Sequence, residues 1–219
     1  GDELFGGYNR YFWGPTIWKK IRWAPYSSRK LIGKTIKSIS LKNWDNINKI
    51  LPKNYSSSRL GEKAHKFSNL LFDIDSIEEL YIRLVSEWQK DDKLVLNRNI
   101  ISTKLDDIGQ YTNLKPEDMM MMMDIRTYLT DDILTKVDRA SMGVSLETRA
   151  PFLDYRLAEL ALRIPVRMKI RDNKGKLILR QILEKHVPNK MIDRPKLGFG
   201  VPIGDWICGP LREWAEDLL

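Results

Sequence analysis

The chain has 219 residues, 42% of them hydrophobic, one cysteine and a net charge of +8. That composition supports a folded core and argues against wholesale disorder. One cysteine excludes an intrachain disulfide and fits a reducing, cytoplasmic setting, while Cys208, His65 and His186, far apart in sequence, make a poor zinc set. The charge is uneven: residues 1–60 hold twelve Lys or Arg against Asp2, Glu3 and Asp45. Such a segment reads first as a solvated face or a surface for an acidic partner. A non-catalytic helical module binding nucleic acid or protein is the competing reading.

The N-terminus, GDELFGGYNR, has no apolar signal-peptide run and does not start with Met, so residues upstream are expected. Its Gly1-Asp2-Glu3-Leu4-Phe5-Gly6-Gly7-Tyr8 stretch combines glycines, which permit close backbone approach, with a carboxylate that can hold Mg²⁺ against phosphate. Residues 15–60 read as short helices broken at Pro15, Pro25 and Pro52. Residues 62–90 read as helical, with Asp75 or Ser76 as a cap and Ile77, Leu80, Tyr81, Leu84 and Trp88 at helical spacing. The clearest helix starts at Pro116, followed by Glu117 and Asp118, and stops at Gly143, unless Thr130–Asp131 caps a restart. Its Met119–Met123 run suits adaptable core packing.

Within that helix Asp124, Tyr128, Asp131, Thr135 and Arg139 recur at spacings of three and four, as one polar stripe suited to a zwitterionic or phosphorylated ligand. Asp132, Lys136 and Asp138 add charge beside it. Further on, Glu147 and Arg149 flank an extended stretch before Pro151 and read as a structural ion pair. Asp154 caps a helix ending before Pro165, and later helices cover about residues 176–186 and 211–218. Between them lies Arg194-Pro195-Lys196-Leu197-Gly198-Phe199-Gly200-Val201-Pro202, a loop with two cations between glycine hinges. Strand signals are weak, so the piece reads as mainly α.

In this order the motifs resemble the synthetase domain of glutamine-dependent asparagine synthetases and β-lactam synthetase. Gly1–Tyr8 matches the second half of that family's S-G-x-G-G-D-E-L-F-G-G-Y loop. Tyr128–Asp154 matches its Y-L-x-D-D-x-L-x-K-x-D-R-x-S-M and S-L-E-x-R-x-P-F-L-D signatures, and Arg194, Lys196, Gly198, Phe199 and Pro202 its closing R-x-K-x-G-F-x-x-P.

The resemblance implies a helical C-terminal portion of an α/β ATP-pyrophosphatase (adenine nucleotide α-hydrolase-like) domain, with the parallel sheet mostly upstream. Residues 1–219 would be one fragment: half of the pyrophosphate loop over 1–8, a variable basic helical region over 9–115 and a core helical region over 116–219. It implies that ATP activates a carboxylate, aspartate first, as an acyl-adenylate with loss of pyrophosphate, before ammonia from glutamine attacks. By the same resemblance Gly1, Asp2 and Lys196 contact ATP or pyrophosphate, Asp2 binds Mg²⁺, Lys196 steadies the transition state, and Asp131 or Asp132 lies near the adenylate. The partners implied are the glutaminase domain and the ATP loop (S-G-G-x-D-S) of the same protein. A homodimer of the full-length form is compatible with it. Lacking that loop, the fragment alone is expected to be inactive.

Overall fold

The structure is a computed structural model that describes residues 1–50, 60–72, 74–86, 103–193 and 201–218. Among them it is mostly helical and contains no strand; the sole β-type pairing is an isolated bridge between Arg171 and Lys174. The mainly α expectation therefore holds. The chain divides into two units, residues 1–179 and 180–219.

In the first unit a short helix α1 (Asp2–Phe5) leads into α2 (Arg10–Ile21), α3 (Tyr26–Ser38), α4 (Leu41–Ile50), α5 (Leu60–Phe72) and α6 (Ile77–Val85). Pro15 was expected to break the chain, yet it lies inside α2 and is buried. Tertiary burial there outweighs the loss of one backbone hydrogen bond. Helix α3 packs on α5, as does α4, whereas α2 packs on α6 and on α7 (Pro116–Asp124). The start of α6 settles one open choice: Ser76 is the cap, its Oγ accepting the Glu79 N–H at 3.1 Å. Trp88, at the end of the expected 62–90 helix, is outside the described residues.

The core forms where α2 and α6 meet α7. Tyr11, Phe12, Tyr81 and Ile108 surround Met119, Met120, Met121 and Met123, all buried. Four unbranched side chains in five positions fill the space where these helices meet, as the methionine run suggested. A 3₁₀ helix at Lys104–Tyr111, capped by Thr103 and Asp106, packs alongside.

The Pro116 helix runs unbroken to Met142, with no restart at Thr130. It changes character in the middle: α7 gives way to a π-helix over Ile125–Leu134, then to α8 (Thr135–Met142) before Gly143. A π segment is rare and is often found at functional sites. A 3₁₀ turn at Pro151–Leu153 precedes α9 (Tyr155–Arg163), which Asp154 caps as expected by accepting the Arg156 N–H at 2.9 Å. Helix α10 (Val166–Lys169) and a tight turn follow, and the division between units falls within α11 (Leu177–Leu183). Leu4 and Phe5 of α1 bury against Ala161, with Leu157, Ala158, Ile178 and Leu179 around them.

The second unit holds α12 (Asn189–Ile192), α13 (Ile203–Cys208) and α14 (Arg212–Glu216). Arg180 pairs with Asp193 at 2.7 Å and Arg212 with Glu216 at 2.8 Å.

Candidate functional site

The first eight residues form a compact turn of helix with little spare room. Helix α1 ends at Gly6, whose left-handed backbone (φ 69°, ψ 51°) strains any residue with a side chain. A Cβ on Gly6 would also lie 2.5 Å from Ile170 Cγ1. At Gly7 the constraint is the site itself: a Cβ would stand 2.0 Å from Asp2 Oδ1 and 2.4 Å from Lys176 Cε. The Gly-Gly pair thus lets the Asp2 carboxylate fold back over the backbone and remain partly accessible.

Lys176 completes this corner. Its Nζ donates to Asp2 Oδ2 at 2.7 Å, and its backbone N–H donates to Phe5 O at 3.0 Å. The lysine is delivered by a tight turn in which Asp172 (φ 52°) and Asn173 (φ 58°) are both left-handed. Arg171 and Lys174 exchange backbone hydrogen bonds across it. Lys176 is itself left-handed at φ 57°, a conformation costing about 1–3 kcal/mol that the packing must hold. Gly175 permits the docking, since a Cβ there would fall 1.9 Å from the Gly6 carbonyl oxygen. The Asp-Asn-Lys-Gly run was the available sequence signal for this turn, and sequence reasoning did not use it.

Glu3 has a different fate from Asp2. It is buried and accepts a hydrogen bond from the Tyr8 hydroxyl at 2.7 Å. The loop therefore offers one accessible carboxylate. Among the described residues no three His, Cys, Asp or Glu side chains converge as a metal cage. One partly accessible carboxylate still fits Mg²⁺, which commonly takes one or two protein carboxylates and completes its shell with phosphate oxygens and water.

Behind the loop lies a fully buried acid, Asp124, the last residue of α7. Its Oδ1 accepts from Tyr81 Oη at 2.8 Å. Its Oδ2 accepts from Arg10 Nε at 2.7 Å and, closer still, from Tyr11 Oη. Burial and the neighbouring Asp124 charge push the Tyr11 and Tyr81 hydroxyls far above their ordinary range, so both stay protonated donors. The Arg10 guanidinium lies 4.3 Å from the Tyr8 ring centre and 5.0 Å from that of Tyr128. Those two rings meet edge to face at 5.6 Å.

The expected polar stripe is not one face. The wider π-helical turn carries residues four apart out of line, so Asp124 is buried whereas Asp131 and Thr135 are exposed. Tyr128 joins Arg10. Asp131 takes Lys104 Nζ on both oxygens, at 2.9 and 3.0 Å, which holds its carboxyl below the usual range with help from Thr130. Asp132 pairs with Lys136 at 2.6 Å. Arg139 pairs with its neighbour Asp138, and Arg149 with Glu147, all four well exposed. The Glu147–Arg149 pair is thus local and solvated, where a buried structural pair was expected.

Gly1 caps α1 with no side-chain contribution. Lys196 and the rest of its loop, residues 194–200, are outside the described residues.

Comparison with known proteins supplies a family context. A family model described as asparagine synthase matches residues 1–219. An asparagine synthetase (glutamine-hydrolysing) of Bacillus subtilis is 27% identical over the whole chain, which spans 32% of that relative. A putative asparagine synthetase of Mycobacterium bovis is 31% identical over 98% of the chain and 30% of its own length. A second Bacillus subtilis asparagine synthetase is 36% identical over 65% of the chain. The chain thus spans under a third of the length of the first two relatives. No solved structure gives a significant match.

Proposed function

This chain belongs to the asparagine synthase family, and on that premise we propose that it is the helical C-terminal portion of an ATP-dependent, glutamine-using ligase. The observation that carries the reading is the Asp2 corner. A carboxylate is held over a glycine pair, with Lys176 against it, inside a chain that the family model matches over residues 1–219. The reading extends to an upstream parallel sheet with its own ATP loop and to a glutaminase domain, both in the same protein. The setting is the cytoplasm.

The proposed reaction joins ammonia to the side-chain carboxylate of aspartate. A carboxylate oxygen attacks the α-phosphorus of ATP, pyrophosphate leaves, and an acyl-adenylate forms. Ammonia released from glutamine then attacks the acyl carbon and AMP departs, leaving the amide. Mg²⁺ held by Asp2 would neutralise charge on the leaving pyrophosphate.

The chain's own residues have separate tasks. Gly1 lets the backbone approach the phosphates closely, while Gly6 and Gly7 make room for Ile170 and for the Asp2 carboxylate. Lys176 holds the Asp2 carboxylate in place. Lys196, assigned by motif alone, supplies a cation where negative charge grows in the transition state. Asp131 or Asp132 faces the adenylate. Asp131 is at present occupied by Lys104, and Asp132 by Lys136.

The test uses the full-length protein and follows pyrophosphate and glutamate release together. Wild type should release pyrophosphate only when aspartate is present. Lys196→Ala should slow that release by about a hundredfold, the scale of losing one oxyanion donor, with glutamine hydrolysis intact. Pyrophosphate release within about twofold of wild type, a barrier change below ~0.5 kcal/mol, would remove Lys196 from the site. No aspartate-dependent release by wild type would remove the reading itself.

A further inference from the structure

The Asp2 loop and the acids of the π-helix lie on separate stretches of chain, and the side chains between them form one connected set. Tyr8 ends the loop and gives its hydroxyl to Glu3. Arg10, two residues on, sets its guanidinium carbon 4.3 Å from the Tyr8 ring centre and 5.0 Å from that of Tyr128, two rings that meet each other edge to face. Tyr128 is the fourth residue of the π-helix, three before Asp131 and four before Asp132. The Arg10 guanidinium is fixed from behind by Asp124, the residue at which the α-helix becomes the π-helix.

The energetics single out this set. Asp124 is fully buried and has three donors, so its charge is compensated. Arg10 spends its Nε on Asp124, and its Nη2 is buried with no hydrogen-bond partner. Burying that donor without a partner is costly. The guanidinium also sits within cation–π distance of two nearly perpendicular rings, Tyr8 and Tyr128, and a shorter-reaching, compact ammonium does not reproduce both contacts together with the Asp124 bond.

We propose that Arg10 and Asp124 are positioning residues. Through the Tyr8–Arg10–Tyr128 cluster they fix the π-helix that carries Asp131 and Asp132 against the loop that carries Asp2. This rests on the synthetase reading for its catalytic consequence, though not for its structural one. Loosening the cluster leaves each ligand-binding group present but out of register, which lowers turnover more than affinity.

The test uses the full-length enzyme with two variants. Tyr128→Leu removes one ring of the cluster and leaves the ion pair. Arg10→Lys keeps the charge and loses the reach of the guanidinium. Both should lower kcat for pyrophosphate release by at least about tenfold, with KM for ATP and aspartate within about twofold. Tyr128→Phe, which keeps the ring, should behave as wild type. Independently of activity, hydrogen exchange at residues 126–134 should quicken in Tyr128→Leu and Arg10→Lys and stay unchanged in Tyr128→Phe.

Three results would overturn the inference. One is kcat within twofold of wild type for both disruptive variants with unaltered exchange. Another is a rise in KM at constant kcat, which would make Arg10 or Tyr128 a ligand contact. The third is a dead Tyr128→Phe, which would assign the phenol to chemistry. If wild type releases no pyrophosphate, the functional reading fails while the exchange comparison still judges the cluster.

Discussion

Two stretches of the first unit carry a similar wealth of charged residues and use them in opposite ways. Around Asp124, an acid, an arginine and three tyrosines are interlocked and mostly buried, with three donors converging on the carboxylate and the guanidinium against the Tyr8 ring. Along residues 131–156, Asp131, Asp132, Asp138, Glu147 and Asp154 each take a cation from nearby, and most of these partners are well exposed. The first set is specified by the fold, because a buried charge without partners is costly. The second set contributes little to the fold, because exposed pairs are screened and cost side-chain entropy. Residue types in the second stretch are therefore free to answer to a ligand, whereas those in the first answer to packing.

That contrast can be broken first at its strongest point. Asp124→Ala would strand the Arg10 guanidinium and two buried hydroxyls, and should destabilise the protein by about 3–5 kcal/mol. Thermal unfolding of the full-length protein reads this directly. A midpoint unchanged within error would mean that the hub is not a structural keystone.

The methionines offer a second comparison inside one continuous helix. Met120 is fully buried and Met142 is 53% exposed. Met120→Ala should cost about 2–5 kcal/mol, and Met142→Ala less than about 0.5 kcal/mol. Equal losses would contradict the assignment of the core to α7.

A third prediction concerns Lys169, which is buried on α10, with Asp118 the nearby acid. Desolvation lowers its pKa, so the charged form is penalised on folding. Replacing it with Met should stabilise the protein by about 1–3 kcal/mol. A lower unfolding midpoint for Lys169→Met would show that its ammonium is satisfied.

Alkaline pH sharpens the same picture. Tyr8, Tyr11 and Tyr81 have folded-state pKa values raised by burial and by the adjacent acids. A raised folded pKa means that their contribution is complete below the unfolded tyrosine value, ~10. Above that value the unfolded chain loses protons that the folded chain keeps, so stability falls as pH rises. The slope approaches about 1.4 kcal/mol per pH unit for each tyrosine. Tyr81→Phe should flatten that slope between about pH 10 and 11, as read from urea midpoints. An unchanged slope would contradict the shift. The smallest effect belongs to the exposed stretch: Glu147→Ala should leave the unfolding midpoint within about 0.5 kcal/mol of wild type.

Sequence alone revealed a good part of this. The Pro116 start, the Gly143 stop, the Asp154 cap and the buried methionine run follow from local rules of capping and packing, and local rules are visible in order along the chain. The polar stripe was misread because α-helical periodicity was assumed through Ile125–Leu134, and no single residue announces a π turn. Arg10 and Tyr81 meet Asp124 across separations of 114 and 43 residues, which no spacing argument reaches. Lys176 shows the same limit, since it stands 174 residues from Asp2. Its turn was legible, and its target was not.

The central claim is that the full-length protein activates a carboxylate by adenylation. Aspartate labelled with ¹⁸O in its side-chain carboxylate tests it directly, because the attacking oxygen stays with the phosphorus when ammonia displaces AMP. Mass spectrometry of the products of a complete reaction should find one labelled oxygen in AMP and none in pyrophosphate. Label in inorganic phosphate, with ADP as the nucleotide product, would mean an acyl-phosphate route and would contradict the account.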